Sequence, residues 1–336
     1  MTAPSWPDVQ PDRVRIREVG PRDGLQIEPT VIPTADKVAI VNALSATGLD
    51  TIQATSAVHP RAVPQLADAE ELMAGIGRLP GVRYSVLVPN LRGAQRAAVM
   101  AADEWDLMLS VTDAHSRANA NRGTWEAFDA LVPVIALAHR EGVDIVGGMA
   151  TALGCPFEGR VPYTRVHEVA ERYRDLGVGQ LSVADTVGAA DPTLVQDVMS
   201  RLRTEFPDIE FGLHLHNTRG MGLANVVAGL RAGVRIFDAS VGGLGGCPYA
   251  PGASGNIATE DAVHMLQLRG VSTGVALDAV LSIARGPVAT AVGHPLESAV
   301  ARAGLSWDLH PSSRKAEVPA RSGEATGSHR TGASTT

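Results

Sequence analysis

The chain is short of cysteine, of basic clusters and of long apolar runs, and each shortage excludes a class of protein. Only two cysteines occur in 336 residues, Cys155 and Cys247, far apart and each followed by proline. Such sparse usage does not describe a disulfide scaffold, so both are expected as free thiols. Lysine and arginine number 29 against 36 acidic residues, a formal net charge of -7. With no basic stripe there is no electrostatic footprint for nucleic acid or an anionic membrane, and small-molecule chemistry is the better expectation. No segment holds the run of about 18 apolar residues that a membrane span needs. Met1–Asp12 is proline-rich and acidic and lacks the basic start and apolar stretch of a signal peptide. A cytoplasmic protein is therefore expected. What is present is 45% hydrophobic content, enough at this length to bury a large enzyme core.

Short β-branched runs recur along the chain: Val14–Val19, Asp50–Ala54, Val82–Leu87, Asp106–Ser110, Val143–Val146, Gln180–Val183, Phe211–His216 and Arg235–Ser240. Helical stretches lie between them. One is Thr34–Thr47, with Val38, Val41 and Leu44 on one face, Thr34 at the expected N-cap and Gly48 at the stop. Gly48, Gly142, Gly177 and Gly233 each stand shortly before a strand, where a helix C-cap wants a residue tolerant of positive φ. Strands alternating with helices fit an α/β fold of the (β/α)8 TIM-barrel type, with a doubly wound sheet as the rival. Residues 1–12 read as an N-terminal extension and 13–300 as the barrel with additional C-terminal helices. Residues 301–336 form a C-terminal tail whose serine, arginine, threonine and glycine bury little and are expected to be largely disordered.

In such a barrel, ligands bind where the strands end, so polar residues just past each strand are the place to look. After the first strand comes Gly20-Pro21-Arg22-Asp23-Gly24-Leu25-Gln26, at the end of the seventh His214-Leu215-His216-Asn217, and after the eighth a glycine-rich loop ending in Gly255-Asn256. His214 and His216 are two apart on a strand, so both imidazoles face one way, as adjacent metal ligands must. The bland alternative is a pair of hydrogen-bonded core histidines, and for Asp23 a turn residue before glycine. Taken together, Asp23, His214, His216 and Asn256 make a mixed nitrogen and oxygen set that suits Mg2+, Mn2+ or a similar divalent ion better than a closed zinc site. The loop Gly242–Asn256 matches neither a Rossmann nor a Walker spacing. It reads as a mobile lid that brings Cys247 to the reacting centre, or else as an ordinary long turn.

These residues resemble the 3-hydroxy-3-methylglutaryl-CoA lyases. The resemblance rests on Arg22–Gln26, on His214 with His216, and above all on Ser240-Val241-Gly242-Gly243-Leu244-Gly245-Gly246-Cys247-Pro248-Tyr249. Thr55-Ser56, Val63–Gln65, Leu153–Gly159, Asp185–Gly188 and Gly252–Asp261 also match, so that the likeness spans about Arg15 to Val300. It implies a metal-dependent carbon-carbon lyase that splits a 3-hydroxy-3-substituted glutaryl-CoA into acetyl-CoA and a 3-oxoacid by a retro-Claisen step. By matching motif, Asp23, His214, His216 and Asn256 would hold the metal, while Arg22 would stabilise the enolate of acetyl-CoA. Asp23 or His214 would take the hydroxyl proton, and Cys247 would return one to the enolate carbon. Arg22, Gln26, Gln53, Ser56, Thr186 and Arg219 are the expected contacts to the acyl-CoA substrate. Family likeness also suggests a homo-oligomer, with a dimer favoured.

The sequence departs from the family at three places. Gln53 stands where these lyases usually carry glutamate, and an amide can hydrogen-bond but cannot serve as a base. Pro29 follows Glu28 where lysine is common, and Asn217-Thr218-Arg219-Gly220-Met221 replaces a more acidic, aromatic Asp-Thr-Tyr-Gly-Gln. An altered acyl group is therefore open, with Arg219 either meeting a substrate carboxylate or forming a surface ion pair. Two other readings stay in play: a synthase condensing acetyl-CoA with a 2-oxoacid, and a barrel that binds metal or CoA without turnover.

Overall fold

The computed structural model describes residues 10–246 and 255–308. Eight parallel strands, β1 (Arg15–Glu18), β2 (Thr51–Ser56), β3 (Arg83–Leu87), β4 (Glu104–Ser110), β5 (Asp144–Ala150), β6 (Gln180–Asp185), β7 (Glu210–Leu215) and β8 (Ile236–Ala239), close into a barrel in chain order. β8 pairs back onto β1. Every run of β-branched residues in the sequence lands on one of these strands, with ends shifted by a few residues. Helices surround the barrel, so the strands are covered on both faces and β2 is buried along its whole length.

Local sequence explains the connections. Gly48, Gly142, Gly177 and Gly233 take φ of 89, 67, 78 and 79°, the left-handed conformation that lets a helix end and turn into the next strand. The helix Pro192–Glu205 starts on Asp191, whose carboxylate accepts from the amides of Thr193 and Leu194. At the first barrel helix, Thr34–Ser45, the expected cap moves: Pro33 occupies the N-cap, and the Thr34 hydroxyl instead donates to Asp68 at 2.7 Å. The buried face of that helix holds Ile40, Val41 and Leu44 together with Lys37, whose ammonium lies 2.7 Å from Asp68. At the far end, the helix Ala299–Ala303 runs across position 300, and the first compact unit closes at Gly304. Leu305–Asp308 fall in a second unit, in a turn closed by the Asp308 amide on the Leu305 carbonyl.

Register decides what meets inside the barrel. Arg17 of β1 and His214 of β7 both pair with Asp238 of β8, while Gln53 of β2 pairs with Ser85 of β3 and Ser85 with Glu104 of β4. These side chains make the strand-end layer of the interior polar. A buried guanidinium persists only where carboxylates meet it. Arg17 has three, at 2.6 Å from Glu104, 2.5 Å from Asp106 and 3.2 Å from Asp238.

Candidate active site at the barrel mouth

β1 ends in a tight turn, Gly20–Gly24, in which the Val19 carbonyl accepts from the amides of Arg22 and Asp23 at 3.1 and 2.7 Å. The turn carries Arg22 and Asp23 together to the mouth, where the two side chains form an ion pair. Across from them, His214 and His216 project from the end of β7 with their Nε2 atoms 3.1 Å apart. The chain returning from the glycine-rich loop lies beside this strand end. Asn217 N donates to the Gly255 carbonyl and Ile257 N to the Leu215 carbonyl, which sets Asn256 opposite His216. Glycine is required on the other side of Asn256, because a Cβ at Gly245 would fall 2.6 Å from the Asn256 Nδ2. That amide donates to Asp23 Oδ2 at 2.8 Å.

One carboxylate and two imidazoles, from Asp23, His214 and His216, offer ligand atoms that all lie within 4.8 Å of one another. That span suits a single divalent ion, and the donor set is hard oxygen with imidazole nitrogen. Two buried polar atoms here, His216 Nδ1 and Asn256 Oδ1, find no hydrogen-bond partner among the described residues. A polar corner with more donor atoms than protein partners is what a cation site looks like from the protein side. Behind it, the Asp238 carboxylate sits 3.1 Å from His214 Nδ1. A carboxylate only accepts, so it holds a proton on Nδ1 and turns the His214 Nε2 toward Asp23 and His216.

The charges of the corner are strongly coupled. Burial opposes ionisation of Asp23, yet the neighbouring Arg22 guanidinium and the two imidazoles hold its carboxyl far below the usual carboxylate range. Burial likewise opposes protonation of His214, but the hydrogen bond to Asp238 and the nearby Asp23 charge outweigh it and push His214 up. His216 goes the other way, depressed to about 3 by burial and by the His214 charge. A neutral His216 beside an ionised Asp23 is the protonation state in which both lone pairs can face a cation.

The remaining expected residues divide. Arg22, Gln26, Gln53 and Thr186 line a cavity of about 150 Å³ in company with Asp23, His214 and His216. Ser56 does not reach it: the hydroxyl is fully buried, donating to the Leu87 carbonyl and accepting from Val58 N. Arg219 also stays out of the lining and donates to the Val187 and Gly188 carbonyls at 3.0 and 2.9 Å, bracing the loop after β6. Cys247 lies outside the described residues, but the turn leading to it is held firmly. Glu18 accepts from Gly20 N and Val241 N, and Glu260 accepts from Gly242 N with both oxygens at 3.1 Å. Cys155 is buried and free, its sulfur accepting from the Thr112 hydroxyl.

Sequence reading missed the cavity floor, where Arg17, Asp106, Ser182 and Asp238 lie beneath the corner. The signal was available: a charged residue in the middle of a β-branched run, in a strand expected to be covered on both faces, has to be paired or functional.

Known proteins resemble this chain over most of its length. Residues 13–286 match the HMGL-like family. The chain is 44% identical over 288 residues to hydroxymethylglutaryl-CoA lyase YngG of Bacillus subtilis, covering 86% of this chain and 96% of that protein. It is 42% identical over 271 residues to the mitochondrial hydroxymethylglutaryl-CoA lyase of Mus musculus, covering 81% and 83% respectively. Among solved structures, an HMG-CoA lyase from Acinetobacter baumannii in complex with coenzyme A and 3-methylmalate superposes with a TM-score of 0.85 at 42% identity, over 93% of this chain and 99% of that one.

Proposed function

The chain belongs to the HMGL-like family, and from that premise we propose that it is a carbon-carbon lyase cleaving 3-hydroxy-3-methylglutaryl-CoA to acetyl-CoA and acetoacetate. The observation that carries this reading is the convergence of Arg22 with Asp23, His214 and His216 in one cavity. Asp23, His214, His216 and Asn256 would hold the ion, with Mg2+ or Mn2+ the best fit to the donors. Bound there, the metal would supply Lewis-acid polarisation of the substrate oxygens. The protein residues would do the rest. His214, backed by Asp238, and Asp23 line the cavity where the tertiary hydroxyl would lie, and whichever of them keeps a lone pair free of the ion would receive its proton. Once the carbon-carbon bond breaks, the enolate oxygen of acetyl-CoA gains negative charge. Arg22, fixed at Nε by Gln53 and at Nη1 by Asp23, would meet that charge with a guanidinium already in position, so little reorganisation accompanies the step. Cys247 is the proposed proton donor to the enolate carbon.

We further propose a homodimer, resting on family likeness, and a cytoplasmic location, resting on the composition of the chain. Among the described residues no helix is long and apolar enough to cross a membrane.

The test uses the full chain loaded with Mg2+ or Mn2+ and 3-hydroxy-3-methylglutaryl-CoA, with acetyl-CoA and acetoacetate both quantified. Equimolar release of the two is expected. A parallel incubation with acetyl-CoA and 2-oxoacids covers the synthase reading. Condensation there, with no cleavage of any 3-hydroxyacyl-CoA, would overturn the lyase.

A further inference from the structure

Position 53 is where the sequence gives up a carboxylate, and the floor of the cavity contains one that compensates. Gln53 stands between two residues of fixed hydrogen-bonding character. Its Oε1 accepts from Arg22 Nε, and its Nε2 donates to Asp106 Oδ2 at 2.5 Å. An arginine can only donate and an ionised aspartate can only accept, so the orientation of the amide is dictated from both sides. Asp106 is itself anchored, with Oδ2 accepting from the Ser85 hydroxyl at 2.6 Å and Oδ1 from Arg17 at 2.5 Å. Arg17 continues to Asp238, and Asp238 to His214. A chain of hydrogen bonds thus runs beneath the site from Arg22 to His214.

We propose that Gln53 and Asp106 act as one positioning unit for Arg22, in which Asp106 carries the negative charge and Gln53, necessarily neutral, relays its hold to the guanidinium. The inference rests on the lyase reading for Arg22's role, but its core is a statement about two side chains. A glutamate at 53 could accept from Arg22 equally well. Its second oxygen, however, would take the place of Nε2, at hydrogen-bond distance from Asp106 Oδ2, and two buried carboxylates that close must share a proton or move apart. Restoring an acid at 53 is therefore harmful in this chain so long as Asp106 is present. Gln53 and Asp106 touch no reacting group in this account and act through Arg22.

The experiment compares wild type, Gln53→Glu, Asp106→Asn and the double variant Gln53→Glu/Asp106→Asn, all metal-loaded, with 3-hydroxy-3-methylglutaryl-CoA as the probe. Gln53→Glu is expected to lower kcat by about 10- to 100-fold, the scale of a misplaced catalytic group, with KM moving far less. The double variant, which returns one amide and one carboxylate to the same pair of positions, is expected to recover to within a few-fold of wild type. If Gln53→Glu keeps wild-type kcat at neutral pH, or the double variant is no better than Gln53→Glu, the unit does not exist.

Thermal unfolding supplies a readout independent of turnover. A carboxyl forced to share a proton has a raised folded-state pKa, so its penalty is small near pH 5 and grows as pH rises. The gap in Tm between Gln53→Glu and wild type should accordingly widen from pH 5 to pH 8, and should stay constant when the same change is made in the Asp106→Asn background. A gap that does not change with pH overturns the pairing whatever the activities are. A widening gap in a protein that cleaves no acyl-CoA would instead leave the pairing standing and remove the lyase reading.

Discussion

The corner and the floor of the cavity are built from similar residues and satisfied in opposite ways. At the corner, Asp23, His214, His216 and Asn256 converge with buried polar atoms left over, the His216 Nδ1 and the Asn256 Oδ1. On the floor, both oxygens of Asp106 and both oxygens of Asp238 have protein donors. An interior of low dielectric penalises an unpartnered polar atom and rewards a completed network, so the two regions differ in purpose. Apart from Arg17 Nε, which has no partner among the described residues, the floor is finished as protein and fixes geometry. On the reading proposed above, a ligand would complete the corner, with the floor beneath it fixing the side chains.

The comparison breaks most visibly at the corner. His216→Ala removes a donor that nothing on the floor can replace, and we expect loss of bound metal by elemental analysis together with loss of turnover beyond the roughly 100-fold typical of losing outer support. Retention of full metal content and activity would place the ion elsewhere. Next in size is Arg22→Lys. An ammonium keeps the charge but lacks the planar fork whose separate nitrogens meet Gln53 and Asp23, so kcat is expected to fall by about 10²- to 10³-fold, the scale of a lost transition-state donor. Smaller again is Asp238→Asn, on the floor. The amide no longer enforces the His214 tautomer, and metal affinity or activity is expected to drop by about 10- to 100-fold. A change as large as that of His216→Ala would mean that the floor is itself part of the metal site.

These regions were not equally legible in the sequence. The barrel was readable because β-branched runs and helix-ending glycines are local signals, and all eight strands lie where those signals put them. The corner was readable because His214 and His216 share a strand face and Asp23 follows the first strand directly. The floor was not, because Arg17, Asp106 and Asp238 are far apart in the chain and meet only through barrel closure and register. Ser56 and Arg219 show the converse, polar residues at strand ends that look available in sequence but are occupied by backbone carbonyls. Which partner a strand-end side chain takes is decided by tertiary packing.

The smallest expected effect concerns a third carboxylate environment, where the side chains are buried and no cation among the described residues answers them. Glu18 accepts from Gly20 N, Val241 N and the Thr259 hydroxyl, and Glu260 from Gly242 N, so both tie down the turn that leads into the Cys247 loop. Burial outweighs these hydrogen bonds and pushes each carboxyl up to about 7. Since the folded-state value lies above the unfolded one, the folded protein binds the extra protons between pH about 4.5 and 7, and stability falls as pH rises through that window. The shift corresponds to about 3 kcal/mol for a fully buried group, an upper figure because the site can relax. Glu18→Gln keeps the acceptor toward the two amides and removes the charge. Its Tm relative to wild type should therefore be higher at pH 8.5 than at pH 5, measured by thermal unfolding across that range. A difference independent of pH would mean that Glu18 ionises as readily in the folded protein as in the unfolded one, its three donors offsetting burial.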